Sequence, residues 1–365
     1  PAVFAQSHDL LLRLLTATGQ AGVRVDHPDG LWDPAGYFRQ LQAAYATAIS
    51  APQPDDNSNL PLYVVIEKIL EHHESLPVDW PVHGTVGYEF TTAVNNLFVD
   101  PAHRRPFNDL YAAFVGRRLN LTDLVYDAKQ LMMRTALVSE VNVLAQVLNR
   151  ISEENRHTRD FTLNSLRAAL REVIATFPVY RTYLTAEERD PRPPDRQVID
   201  TAVAQARRRN PTIDGSVFDF VRDVLLATPE PGAPEASVQQ RIRFSLKAQQ
   251  LTGPVMAKGL EDTAFYQYNR LTSLNEVGGN PGQFGAPVAA FHREAGQRQR
   301  HWPHALLSTS THDTKRSEDV RARINVLSEM PQIWREAINR WTRLNRRHKR
   351  RLEGRAAPDR NDEYL

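Results

Sequence analysis

The sequence predicts an α/β protein whose parallel strand–helix alternation is interrupted by a long helical stretch. Two observations carry this. Short apolar runs, each closed by a carboxylate, alternate with helical patterns near both ends of the chain. Between them, about 250 residues separate Glu67 from Asp313, where two βα units need far fewer, so the excess points to an insertion.

The elements follow in order. Leu10 to Leu15 reads as a leucine-rich helix ending near Gly19, and Val23 to Asp26 as a strand. Pro34 opens a helix running to Ile49. Ala51 to Asn59, rich in Pro, Asp and Asn, reads as a loop. Leu62 to Glu67 is a second strand and Thr91 to Phe98 a helix. From about Phe107 to Gln250 the pattern is helical: Leu121–Arg150, Thr162–Ala175, Val198–Arg209, Val217–Leu226 and Val238–Gln250. Leu131, Leu137, Val138, Val141, Leu144, Val147, Leu148 and Ile151 recur at threes and fours. Gly253–Lys258 and Leu306–Ser310 read as further strands, and Ser317–Arg323 and Gln332–Arg350 as helices. The expected division is 1–100, an inserted helical subdomain over 101–250, and 251–365.

Composition narrows the function classes. A net charge of +2 over 365 residues gives no global field toward nucleic acid or membrane. The chain has no cysteine, so a reducing cytoplasm is the simplest setting. No apolar run is long enough to span a bilayer. Arg207-Arg208-Arg209 and Arg343 to Arg351 fall at expected helix ends, where cations suit the dipole, and no nucleic-acid motif accompanies them. His72-His73 lacks the partners of a metal site, so neither metal nor cofactor is expected. The chain opens on Pro1 and stops in mid-pattern, which reads as an excerpt of a longer protein.

Three acidic signatures carry the chemistry: Gly22-Val23-Arg24-Val25-Asp26-His27, Val64-Val65-Ile66-Glu67 and Ser310-Thr311-His312-Asp313. Arg24 and Asp26 lie two apart and share one side of a strand. A guanidinium there keeps a carboxylate ionised and oriented, as a nucleophile needs. Glu67 follows an apolar run, and a desolvated Glu holds its proton toward neutrality. One ionised Asp, one protonated Glu and a third acid are the tools for cleaving a glycosidic bond with retention. The plain alternatives are a helix-capping Asp, a surface Glu paired with Lys68 or His72, and a structural histidine at His312.

The order and flanks of these signatures resemble the α-amylase superfamily, glycoside hydrolase family 13. Three longer blocks narrow the resemblance: Arg24 to Leu31 with Asp33-Pro34, Gly253 to Tyr266, and Ser308 to Asp319. Together they are similar to the maltooligosyltrehalose synthases, the (1→4)-α-D-glucan 1-α-D-glucosylmutases, along essentially the whole chain. The resemblance implies part of a (β/α)8 TIM barrel, about strands four to seven, without its first strands, its last strand and the C-terminal β domain. It implies Asp26 as nucleophile, Glu67 as general acid/base and Asp313 as transition-state stabiliser. Arg24, His27 and His312 would assist at the sugar. Lys258, Glu261, Asp262 and Lys315 would meet hydroxyls, and Phe265, Tyr266 and Tyr88 would stack on glucose rings, core packing being the equal alternative for the aromatics. Val86 departs from the family, where a second Thr is expected. The implied activity is rearrangement of the reducing-end α-1,4 bond of a maltooligosaccharide to α,α-1,1, coupled in its pathway to a trehalose-releasing hydrolase. The rivals are an α-glucan hydrolase of the same superfamily and a glucan-binding fragment without turnover.

Overall fold

The computed structural model describes residues 2–18, 22–54, 59–71, 74–187, 190–229 and 232–365. The protein is 61% helical. In chain order the helices are α1 (Ala2–Thr18), α2 (Pro34–Ala48), α3 (Tyr88–Leu97), α4 (Arg104–Val115) and α5 (Leu121–Arg134). Then come α6 (Val138–Glu153), α7 (Leu163–Ala175), α8 (Pro193–Arg209), α9 (Gly215–Leu225) and α10 (Glu235–Met256). The chain closes with α11 (Val288–His301), α12 (Glu318–Asn325), α13 (Pro331–Asn345) and α14 (Arg360–Tyr364). The strands are β1 (Gly22–Val25), β2 (Tyr63–Ile66), β3 (Arg350–Leu352) and β4 (Arg355–Ala357).

The residues divide into two compact units. The first holds Pro1–Gly87, Glu140–Gly253 and Gly296–Leu307; the second holds Tyr88–Ser139, Pro254–Ala295 and Ser308–Leu365. In the first unit, β1 and β2 run parallel with Gly22 opposite Tyr63 and Val25 opposite Ile66. The other side of β2 is taken by His83–Val86, through His83 N–H to the Val64 carbonyl (2.7 Å), Ile66 N–H to the Gly84 carbonyl (3.0 Å) and Val86 N–H to the Ile66 carbonyl (2.9 Å). Leu306 N–H then donates to the Thr85 carbonyl (3.1 Å). Gly84 makes this approach feasible: its φ is +126°, and a Cβ there would sit 2.5 Å from the Ala305 Cβ.

Val64 and Ile66 on β2 have no exposed surface, and they pack with Phe38, Leu41, Leu62, Trp80 and Tyr183. The α2 helix supplies Phe38 and Leu41 because Asp33 caps it, accepting from Gly36 N–H at 2.9 Å, and Pro34 fixes its first turn. The α7, α8 and α9 helices pack on one another around Leu166, Leu170, Ile199 and Phe218. In the second unit the core gathers Leu110, Tyr111, Phe114, Tyr268, Ile338 and Tyr364, beside Val99, Phe107, Leu271, Leu274 and Phe284.

Four expectations need correction. Gly253–Lys258 is helical: α10 runs through Pro254 to Met256, and a wide π-type turn continues it over Ala257–Glu261. Leu251, Val255, Met256 and Leu260 are buried at helical spacing, and that spacing, not the short Val-Met run, decides the element. The place beside β2 belongs instead to His83–Val86. Leu306–Ser310 forms no strand, although Leu306 joins the ladder at one bond. The helix expected over Leu121–Arg150 is two helices, because Leu137 N–H turns back to the Met132 carbonyl (2.9 Å). The last long helix ends at Asn345, and Arg350 to Ala357 form the β3–β4 hairpin. The His72-His73 pair, the end expected near Gly19 and the centre of the Ala51–Asn59 loop lie outside the described residues.

Candidate active site

Asp26 and Glu67 stand immediately past the carboxyl ends of two adjacent parallel strands. Ladder pairing sets their alignment, since Glu67 N–H donates to the Val25 carbonyl at 3.0 Å. Arg24 Nη1 meets Asp26 Oδ1 at 2.6 Å, and its Nη2 lies 3.7 Å from Glu67 Oε1. One guanidinium therefore faces both acids. The chain then turns sharply at His27, whose φ of 42° is left-handed, and the His27 backbone N–H donates to Glu67 Oε2 at 2.7 Å.

The two carboxyls differ in setting. The Asp26 side chain is 68% exposed and that of Glu67 only 16%. Burial pushes the Glu67 carboxyl above the ordinary range; the His27 amide opposes this, a hydrogen bond to Asp26 and the Asp26 charge add to it, and Arg24 opposes it. The pair thus has one exposed, Arg-held carboxylate and one part-buried carboxyl disposed to keep a proton. Such a pair can divide the roles of nucleophile and proton donor.

Beneath this pair, still in the first unit, lies a charged cluster that sequence reasoning missed. The Lys68 side chain has no exposed surface; its ammonium lies 2.9 Å from Glu74 Oε1 and 3.5 Å from Asp29 Oδ2. Tyr183 donates its hydroxyl to Asp29 Oδ1. Arg181 Nη1 donates to the Asp29 and Leu31 carbonyls at 2.6 and 2.7 Å. Lys68 and Asp29 stand beside the signatures and could have been suspected from that. Nothing in the sequence marks Tyr183 or Glu74.

The second unit holds Asp313. Tyr88 donates its hydroxyl to Asp313 Oδ2, and His312 Nε2 lies 3.4 Å from Asp313 Oδ1. The loop after Asp313 is pinned by Glu276, a residue missed from sequence. Its carboxylate accepts the backbone N–H groups of Lys315 (2.6 Å) and Arg316 (2.8 Å). Burial raises the Glu276 pKa, against these N–H bonds and the Arg321 charge.

The remaining expected contacts separate by exposure. Asp262, Tyr266 and Lys315 come together: Lys315 Nζ is 3.6 Å from Asp262 Oδ1 and 5.5 Å from the Tyr266 ring centre. Tyr266 is 56% exposed. Lys258 is exposed and Glu261 buried. Phe265 and Tyr88 are both buried, and Tyr88 donates its hydroxyl to Asp313. Val86 is also buried, with its backbone in the ladder to β2. Among the described residues no group of three or more His, Cys, Asp or Glu could hold a metal ion. No single helix among them is long and apolar enough to cross a membrane.

No protein-family model matches the chain. A curated Mycobacterium tuberculosis protein provisionally named maltooligosyl trehalose synthase is 34% identical over 337 residues, 92% of this chain and 39% of its own length. The structure of maltooligosyltrehalose synthase from Arthrobacter ramosus covers all of this chain with a TM-score of 0.79 at 33% identity, and 41% of that protein is matched. A hypothetical maltooligosyl trehalose synthase from Sulfolobus tokodaii matches 99% of the chain with a TM-score of 0.71 at 27% identity. The chain thus spans about two fifths of the length of the relatives it matches. Sequence and fold together identify it as homologous, along nearly its whole length, to a segment of the maltooligosyltrehalose synthases.

Proposed function

We propose that this chain is the part of a maltooligosyltrehalose synthase that carries the reacting acids, and that β1, β2, His83–Val86 and Leu306 are consecutive pieces of a (β/α)8 barrel wall interrupted by the helices of 101–250. The observation that carries the reading is the pairing of Asp26 with Glu67 at adjacent strand ends, both facing Arg24.

Glu67, protonated, gives its proton to the last glycosidic oxygen of a maltooligosaccharide while Asp26 attacks the anomeric carbon. The released glucose stays, turns, and loses its C1 hydroxyl proton to Glu67. Its attack on the glycosyl-enzyme ester forms the α,α-1,1 link and frees Asp26. The resemblance gives Asp313, held by Tyr88, the role of transition-state stabiliser, and gives Asp262, Tyr266 and Lys315 the role of sugar contacts. A reducing cytoplasm is the proposed setting, and the product would feed a trehalose-releasing hydrolase.

The test is proton NMR of maltohexaose incubated with a polypeptide of the relatives' length carrying this chain, beside its Asp26→Asn variant. Loss of the reducing-end anomeric signal with growth of an α,α-1,1 signal, absent from the variant, supports the mutase. A net gain of reducing ends makes the protein an α-glucan hydrolase. Binding without turnover leaves only a glucan-binding module.

A further inference from the structure

Glu67 and Lys68 are consecutive, immediately past the end of β2, and differ in exposure. Glu67 is turned toward the reacting side, and Lys68 is fully buried. The same division recurs on the neighbouring loop, where Asp26 is exposed and Asp29, three residues on, is only 7% exposed. Each acid thus has a buried anchor on its own loop, and the two anchors meet at one ammonium. Glu74 holds that ammonium from the far end of the loop after β2, at 2.9 Å. The segment 180–183 closes the arrangement: the Tyr180 and Tyr183 ring centres lie 5.6 and 5.8 Å from Lys68 Nζ, and the Tyr183 hydroxyl binds Asp29.

Burying an ammonium is costly, and apolar side chains of like volume often serve stability as well or better. What the charges add is geometry. The turn that Asp29 anchors is the one that presents the His27 amide to Glu67.

We propose that Lys68, Asp29, Glu74 and Tyr183 form a buried clamp that fixes the loop after β1 to the loop after β2 and thereby sets the position of the His27 amide that holds Glu67. Lys68 is its central positioning residue. The catalytic part of this inference rests on the function proposed above; the structural part does not. Loosening the clamp weakens the His27 bond, which favours the charged form of Glu67, and leaves burial and the Asp26 charge acting, with Arg24 as the remaining opposing group. The Glu67 titration then moves upward.

The experiment uses the same long polypeptide with Tyr183→Phe, Lys68→Met and the uncharged triple variant Asp29→Asn, Lys68→Met, Glu74→Gln. Tyr183→Phe removes only the hydroxyl, and the triple variant leaves no charge at positions 29, 68 and 74 while Arg181 keeps its bonds to the Asp29 and Leu31 carbonyls, so one of them decides even where Lys68→Met fails to fold. The Glu67 carboxyl is followed by carbon-13 NMR in glutamate-labelled protein, assigned against Glu67→Gln. The expected result is an upward midpoint shift, with kcat on maltohexaose lowered at least about tenfold and KM changed far less, as for a misplaced reacting group. Folded variants with a lowered melting temperature but an unmoved Glu67 midpoint overturn the clamp. If the parent turns over no maltohexaose, the proposed function fails, and the Glu67 midpoint still decides the clamp.

Discussion

Glu67 is the residue in which burial and chemistry meet most directly. Its pKa is raised in the fold, so folding favours the protonated form. Its contribution to stability is therefore full below the unfolded carboxylate range and is lost as pH rises through the folded value. Glu67→Gln, which cannot ionise, is expected to melt higher than the parent near pH 7 and alike near pH 4; calorimetry at both values checks this. The same variant should lose about 10²- to 10⁴-fold in kcat, the usual worth of a general acid/base. Arg24 offers a second test. With Arg24→Ala that guanidinium no longer opposes the rise, so the Glu67 midpoint should move up further, visible in the alkaline limb of the pH–rate profile. At this scale the sequence was informative where chemistry is local: Arg24 on β1 and Asp26 immediately past its end lie two apart and touch. It was silent on Glu276 and Tyr183, whose partners lie 39 to 154 positions away in the chain.

At the scale of elements, apolar periodicity foretold most helices and both β1 and β2. It failed where two readings share one composition. Val255 and Met256 look like a strand in isolation, but with Leu251 and Leu260 they make a buried helical stripe. His83–Val86 escaped notice because Gly84 and the flanking Gly87 look like loop residues, while the ladder needs Gly84 for a close approach. The wide turn after α10 is tightly packed: a Cβ on Gly259 would lie 2.6 Å from Lys129 Cγ and 3.0 Å from its Cα. Gly259→Ala should therefore destabilise the protein by about 1–3 kcal/mol, the usual cost of overpacking, as read by urea titration. Glu276→Ala should cost a similar amount, about 1–3 kcal/mol, because it leaves the Lys315 and Arg316 amides without their acceptor.

For the molecule as a whole, the surface of α1 matters most. Val3, Leu10 and Leu14 are 80%, 61% and 56% exposed and lie on one helical face. β1, whose only ladder partner among the described residues is β2, stands at the edge of its sheet. The 365-residue chain expressed by itself is expected to self-associate, and Leu10→Glu with Leu14→Glu to reduce this, as sedimentation velocity would register. These exposed side chains could not be picked out from the sequence. Leu11, Leu12 and Leu15 have the same composition and turn inward.

The ladder also has a consequence in time. β2 is bonded along both edges, by β1 and by His83–Val86, whereas among the described residues the ladder of β1 runs along one. An amide on a doubly bonded strand is released only by a larger opening. The Ile66 amide should therefore trade its hydrogen for deuterium far more slowly than that of Val23. Glu67 thus sits on a slow, stiff support and Asp26 on a faster one, so a bound sugar chain would be expected to slow exchange on the Asp26 side more than on the Glu67 side.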